Sequence, residues 1–266
     1  MSGRNVPQTV YLYAGADPER VDPQRLVKFV ESRVPSEVEL RGDFLGYHLR
    51  GDAATDEVMG EQLARARVKQ PDRRADQDEP KKTEIDYETR FLRSGPEKPT
   101  GLLYDADHLL NTYAALVDHR EIGPAYCHIA VTNQLVATWD RYDCRYHARA
   151  AVFGLPTLIS TCGLVEGPAK PREVYMARQL GIRGAARNPD TREKCLDLDD
   201  PRMQQVVEGY LLQALFYHIT ADPFCERKDC RLFNAHWQEE MLRAQTGHNA
   251  GLCPEHRSEL EEWTCE

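Results

Sequence analysis

The sequence contains no apolar run that approaches the ~20 residues needed to cross a membrane. Residues 1–8 are polar and lack the apolar segment of a secretory signal, so we expect a cytoplasmic protein that does not bind membranes. Lysine and arginine (34) are fewer than aspartate and glutamate (43), and the net charge of −9 argues against a nucleic-acid partner. There is also no Gly-rich phosphate loop and no internal repeat. These absences are compatible with a protein or peptide ligand, but the sequence identifies no particular partner.

The order of apolar patterns predicts an α/β (α+β) fold with a mixed sheet. Residues 9–13 are apolar as in a strand, residues 23–33 carry apolar side chains at helical spacing, and residues 37–49 alternate as in a second strand. This β-α-β beginning favours a sheet with a helix packed across it. Further strands are predicted at 126–136, 146–153 and 157–165, and a long helix is predicted between Pro201 and Pro223.

Changes in composition divide the chain into four parts. Residues 1–51 form the N-terminal β-α-β part, residues 99–222 the remainder of the core, and residues 223–266 a C-terminal subdomain. Between the first two of these lies a charged segment, residues 52–98. Its portion 70–82 is rich in charged residues, glutamine and proline and has no apolar period, which predicts a solvated, mobile insertion.

The eight cysteines fall into two groups. A reducing compartment disfavours disulfides in a chain of this size, so we expect the scattered cysteines to be buried free thiols. These are Cys127, Cys144, Cys162 and Cys195. The remaining four crowd towards the C-terminal end of the sequence, which indicates a metal site.

The C-terminal pattern is Cys225-x4-Cys230 followed by Cys253-x2-His256. Two short-spaced pairs on turns allow four ligands to converge tetrahedrally on Zn²⁺. Cys265 is an alternative fourth ligand, but the x2 spacing favours His256. Because four protein ligands leave no position for water, we predict one structural zinc ion and no catalysis at this site.

Residues on both sides of Cys225 resemble the archaemetzincins, zinc metallopeptidases found mainly in archaea. That family carries HExxHxxGxxHC, then x4-C-x-M, and later C-x2-C; the histidines bind catalytic zinc, the glutamate acts on zinc-bound water, and the later cysteines hold a structural zinc. In this sequence the family's first histidine, glutamate, second histidine, glycine and third histidine fall on Ala214, Leu215, His218, Ala221 and Phe224. Leu232 stands at the methionine position and His256 at the last cysteine position.

The resemblance implies a zincin-like fold with an active-site-type helix and a zinc-stapled C-terminal subdomain. Residues 148–150 and 233–240 are also similar to an archaeal family labelled as metallopeptidase. Since Leu215 cannot accept a proton and His218 alone cannot hold a catalytic zinc, a second zinc is not expected. We therefore predict a pseudoenzyme that keeps the structural zinc and uses the former substrate cleft for binding.

Two alternatives remain open at this stage. His236 and Glu239, three apart on a predicted helix, could form a rebuilt catalytic metal site with His218, with Glu240 as the base. The competing interpretation is that His236 packs the helix while both glutamates face water. The other alternative is a zinc-stabilised adaptor in a protein complex, with the charged segment 52–98 contacting a partner.

Overall fold

The chain adopts a mixed α/β fold in the computed structural model, as the sequence predicts. The structure describes residues 6–15, 19–49, 53–75, 79–94, 101–180, 193–248 and 250–264. Within these ranges, no helix combines the length and apolar character needed to cross a membrane.

The larger sheet has five strands, in the spatial order β2 (Glu37–Arg41), β1 (Thr9–Tyr13), β4 (Tyr126–Thr132), β8 (Thr157–Ser160) and β7 (Ala151–Val152). The first four are parallel, and β7 is a short antiparallel strand at the edge. A three-stranded sheet has the order β3 (Leu103–Asp105), β5 (Leu135–Asp140) and β6 (Arg145–Arg149). Both sheets are twisted and the larger one is mixed, which confirms the predicted fold class.

The helices, in chain order, are α1 (Pro23–Glu31), α2 (Phe44–His48), α3 (Ala53–Ala66), α4 (Lys82–Ser94), α5 (Ala106–Ala114), α6 (Thr161–Glu166), α7 (Arg172–Gln179), α8 (Met203–Thr220), α9 (Gln238–Thr246) and α10 (Pro254–Thr264). A 3-10 turn spans His119–Glu121.

Alternation along β1 distributes the core over both faces of the larger sheet. Val10 and Leu12 point to one face, where they join the apolar cluster that contains α1 and α8. Tyr11 and Tyr13 point to the other face, against residues of α3 and α5. This is the period of two expected for a strand buried on both sides, as parallel strands are.

Helix α8 lies in the centre of the larger cluster. Every residue from Met203 to Phe216 except the half-buried Gln205 is buried, including the glycine, so the helix has almost no solvent face over that length. Its N-cap is Arg202, which makes no side-chain cap, and the Asp200 carboxylate accepts from the Arg202 backbone N–H. The helix ends at Ala221, which has φ 60° in the left-handed region.

Two predicted strands are shorter than expected because side-chain caps begin helices inside them. The strand predicted for 37–49 ends at Arg41, and the Asp43 carboxylate accepts from the Gly46 N–H to begin α2. The strand predicted for 157–165 ends at Ser160, whose hydroxyl accepts from the Gly163 N–H to begin α6. In both places a capping residue competes successfully with an apolar run.

The charged segment contains two helices that the sequence analysis did not predict. Helices α3 and α4 pack against each other, and Met59 and Leu63 of α3 are buried in the cluster that also contains Tyr104. Arg67, directly after α3, forms an ion pair with the fully buried Glu88 of α4, and this contact joins the end of α3 to α4. Between the helices, residues 70–74 are exposed, as expected for the charged stretch. The division into four parts stays a prediction.

Candidate metal centre and cleft

Two turns and one helix position the four predicted zinc ligands. The Cys225 N–H donates to the Leu232 carbonyl at 2.8 Å, and the Cys230 N–H donates to the Arg227 carbonyl at 2.9 Å, so the first pair is held in a closed turn. Cys253 immediately precedes α10, and His256 lies in the first turn of that helix. The proline at position 254 suits the first position of a helix, which explains why α10 starts there.

The four ligand atoms converge. The Sγ atoms of Cys225, Cys230 and Cys253 and one ring nitrogen of His256 all lie within 4.8 Å of one another. The Cys225 and Cys253 sulfurs are 4.0 Å apart, close to the edge of about 3.8 Å in a tetrahedron with Zn–S bonds of ~2.3 Å. A disulfide needs sulfurs ~2.05 Å apart, so this pair is not one. The Cys253 sulfur is 3.0 Å from Nδ1 of His256. The donor set and its spacing therefore fit a zinc ion.

The surroundings of the sulfurs favour a bound cation. Burial raises the pKa of the Cys230 thiol to about 12. Burial also raises the pKa of Cys253, but the backbone and side chain of His256 outweigh it and lower that pKa to about 7. Backbone N–H groups of Arg227 and Cys253 point at the sulfurs of Cys225 and Cys230, at 3.4 and 3.5 Å. A divalent cation would stabilise all three thiolates together, as zinc does in Cys₃His sites.

The cluster is built into the core. The three cysteines are buried among the apolar residues around α8. The His256 ring meets the edge of Phe216 with ring centroids 5.5 Å apart, and Phe216 packs on Trp263 of α10 at 4.4 Å. The metal centre thus joins α10 to the central helix.

The other cysteines only partly follow the prediction. Cys127, Cys162 and Cys195 are buried free thiols, as predicted, whereas Cys144 is exposed and has φ 53° in the left-handed region. The prediction for Cys144 is wrong because the apolar strands on either side end before a turn at residues 141–144. Cys265, the alternative fourth ligand, lies outside the described residues.

Three of the positions that resemble a catalytic motif, Ala214, Leu215 and His218, lie on α8, and the first two are in the core. Ala214 and Leu215 are fully buried, so neither side chain faces a site open to water. The Nε2 atom of His218 is 2.9 Å from the Pro124 carbonyl, which it reaches as an N–H donor. Burial lowers the pKa of His218, and the Pro124 carbonyl partly opposes this effect. His218 is thus a hydrogen-bonded histidine near the end of the helix, with a pKa below that of a free histidine.

The alternative metal site at His218, His236 and Glu239 is not assembled. Groups of three or more ligand side chains within 4.8 Å number two across the described ranges, and neither contains these residues. His236 and Glu239 are exposed, because residues 234–237 form a surface connection before α9. Glu240, the proposed base, is half-buried and lies 3.9 Å from the Lys228 ammonium group.

The second group of converging metal-ligand side chains was not predicted from the sequence. It consists of Asp140, Asp143 and His147 on the β5–β6 hairpin, where His147 Nε2 is 2.7 Å from an Asp143 carboxylate oxygen. The available signal was the spacing of three ligand residues around a turn. All three side chains are exposed or half-exposed, and Asp140 also accepts from the Tyr142 N–H.

A cleft of about 400 Å³ lies beside α8 and next to the edge strand β7. Its wall includes Tyr210 and Gln213 of α8, residues 148–153 of the strands, and Phe224. Gln213 is 1% exposed, and its Oε1 atom has no hydrogen-bond partner. Phe153 meets the edge of Phe224 at a centroid distance of 5.5 Å, which gives the cleft an aromatic side. The cleft therefore offers an apolar surface, a buried acceptor and a nearby sheet edge.

The fold and the cluster define an α/β protein with a candidate zinc site of the Cys₃His type. A comparison with family models matches residues 6–263 to the family described as "Probable metallopeptidase family (DUF6775)". Since the match spans nearly the whole chain, the protein belongs to that family. Neither the curated proteins nor the solved structures give a significant match.

Proposed function

We propose that this protein is a non-proteolytic, zinc-stabilised member of its metallopeptidase family that binds protein or peptide segments in the cleft beside α8. The observation that carries the proposal is the burial of Ala214 and Leu215 in the core next to an intact Cys₃His cluster. The resemblance to archaemetzincins places a zinc ligand and the general base at these two positions. Here both are apolar, and the structural ligands remain.

The zinc would be held by Cys225, Cys230, Cys253 and His256, and when bound it supplies a cross-link. The four side chains fill a tetrahedral shell, so no position is left for a reacting water. The role of these residues is to hold the 225–233 turn, the segment before Cys253 and α10 against the central helix. One zinc ion per chain is the expected stoichiometry.

Binding in the cleft is supported by its lining. An extended peptide can add to a sheet edge through main-chain hydrogen bonds, and β7 is such an edge in the described sheet. Phe224, which is 36% exposed, and Trp237, which is 52% exposed, provide apolar surface close to the cleft. Exposed aromatic rings are frequent anchors of protein interfaces.

A pair of assays on the zinc-loaded protein tests the proposal. Incubation with unfolded protein substrates should yield no fragments above a blank, and a chelator should make no difference. Cleavage that co-purifies with the protein and is abolished by the chelator would refute the non-proteolytic assignment.

Binding is measured separately, on an array of unstructured peptides. Phe224→Ala should lower the affinity for the retained peptides by roughly tenfold, as the loss of an aromatic anchor does at interfaces. Tyr142→Ala is the matched control, since it removes an 85% exposed ring outside the cleft. Equal binding by both variants, or no retained peptide at all, would contradict the cleft assignment while leaving the zinc site untouched.

A further inference from the structure

A second cavity, of about 410 Å³, is lined by side chains that are all different from those of the peptide cleft. It is bounded by the end of α1, by Leu212 of α8, by the 250–252 segment and by α10. Three arginines face it: Arg33, Arg231 and Arg257. A cluster of three guanidinium groups is unexpected in a chain with a net charge of −9.

Arg231 forms the buried end of the cavity. It is 8% exposed, its Nη2 donates to the Gln205 carbonyl at 2.7 Å, and its Nε donates to Gln245 at 3.4 Å. Its remaining nitrogen, Nη1, has no acceptor among the residues that the structure describes. The charge of Arg33 repels the Arg231 guanidinium group and that of the Glu208 carboxylate attracts it, so both groups lie near Arg231. Arginine stays protonated in proteins, and the charge therefore persists.

Arg33 and Arg257 lie nearer the surface. The Nε of Arg33 is buried and has no hydrogen-bond partner. The guanidinium groups of Arg33 and Arg231 lie 5.1 and 5.4 Å from the centroid of the Phe29 ring, which keeps both side chains in place. Arg257 is exposed at the mouth, where its Nη2 donates to the Leu252 carbonyl at 3.3 Å. Glu261, also at the mouth, is exposed and is the acidic residue of the lining.

None of these three arginines forms an ion pair with a described carboxylate within 4.0 Å. Other buried arginines of this protein do. Arg41 donates to both Glu39 and Glu121, and Arg67 pairs with Glu88. Glu208 attracts Arg231 only from beyond 4.0 Å, so the guanidinium groups at this cavity lack the direct carboxylate contact that Arg41 and Arg67 have, and burying Arg231 without one carries a cost. An anion bound between the guanidinium groups would remove that cost.

We propose that this cavity is a binding site for a small molecule with a phosphate or carboxylate group. Guanidinium groups donate paired hydrogen bonds to the oxygens of such oxyanions. The volume lies within the range of small-ligand sites, ~300–1,000 Å³, and is larger than one phosphate ion requires. The oxyanion lies against Arg231 and Arg33, Arg257 closes the mouth, and Leu212 and Leu260 contact the apolar part of the ligand.

The test uses the zinc-loaded full chain and titration calorimetry with inorganic phosphate. Acetate is the carboxylate probe, and sodium chloride at matched ionic strength is the control for general screening. Saturable binding of phosphate or acetate, absent with chloride, is the expected result, and the tighter of the two identifies the head group. Identical behaviour in phosphate, acetate and chloride would overturn the proposal.

Variants locate the binding. Arg33→Gln and Arg257→Gln should each weaken the binding about tenfold, the change expected when one charge-assisted hydrogen bond is lost. Arg145→Gln, at an exposed position on β6, removes the same charge elsewhere and should leave the affinity unchanged. Zinc content is measured for each variant, because Arg257 adjoins His256. Equal affinity in Arg33→Gln, Arg257→Gln and Arg145→Gln, with zinc retained, would place the anion outside this cavity and refute the site.

Discussion

Replacement of Cys230 by serine is the most direct test of the metal centre. Cys230 is fully buried, and its sulfur accepts from the Cys253 N–H. A β-bridge between Cys230 and Gly251 joins the first turn to the segment before α10. Zinc held by Cys225 and Cys253 closes a loop of roughly 30 residues, and a cross-link of that length is worth about 3–4 kcal/mol by loop-closure entropy. For a chain of this size, ~1 kcal/mol corresponds to about 2–4 °C in Tm, so Cys230→Ser should lower Tm by roughly 10 °C.

The measurements are zinc per chain by plasma mass spectrometry and Tm by calorimetry. Wild type should carry one zinc, Cys230→Ser should carry almost none, and a chelator should lower the Tm of wild type towards that of the variant. Cys144→Ser is the matched control, because it removes an exposed thiol outside the cluster. Full zinc content in Cys230→Ser, or two zinc ions in wild type with one lost in His218→Ala, would refute the assignment. His256→Ala compared with Cys265→Ser identifies the fourth ligand.

Three further predictions concern α8 and the larger sheet. Leu215→Glu, which introduces the general-base residue type of the archaemetzincin motif, should destabilise the fold by about 3–5 kcal/mol in a denaturant titration, because it buries an unpaired carboxylate; an unchanged midpoint would mean that the position is open to water. Ala221→Gly should stabilise the fold by roughly 0.5–1 kcal/mol, since alanine is strained at φ 60° there, and a loss of stability would contradict this. Burial lowers the pKa of His128, and the hydrogen bond to the Glu121 carbonyl partly opposes this effect. As the pH falls, this histidine is therefore protonated in the unfolded chain before it is protonated in the folded chain. Stability from His128 is therefore complete above about pH 6.5 and is lost as the pH falls below it; His128→Gln should show a shallower decline between pH 7 and 5, and an equal slope would assign the decline to other groups.

The metal ligands could be predicted from the sequence because they come in two pairs, each local in the chain. Cys225 and Cys230 share one turn, and Cys253 and His256 share the first turn of one helix, so residue type and spacing carry most of the information. The converging positions of the two pairs depend on the packing of α10 against α8, but the preference of zinc for four such ligands made that convergence the expected outcome.

Errors arose where a local cap or a distant contact decided the conformation. Asp43 and Ser160 begin helices within apolar runs that the pattern alone assigns to strands. Helices α3 and α4 lie in a segment whose charge predicted a mobile insertion, and the core contacts of Leu63 and the buried Glu88 ion pair hold them in place. Such contacts join residues from separate elements, which periodicity within one segment does not report.

The sequence by itself determined the α/β class, the Cys₃His set that could hold a metal ion, and the apolar residue types at Ala214 and Leu215, because each depends on residue identity at short spacing. Only the tertiary structure decided that those two positions are buried in the core, and that His218 and His236 lie in different surroundings: His218 donates to the Pro124 carbonyl, whereas His236 is exposed. It also decided that arginines 33, 231 and 257 share one cavity. These outcomes depend on how elements that are distant in the chain pack together. Whether a buried guanidinium group has a carboxylate in contact with it is known only when all of its neighbours are in place.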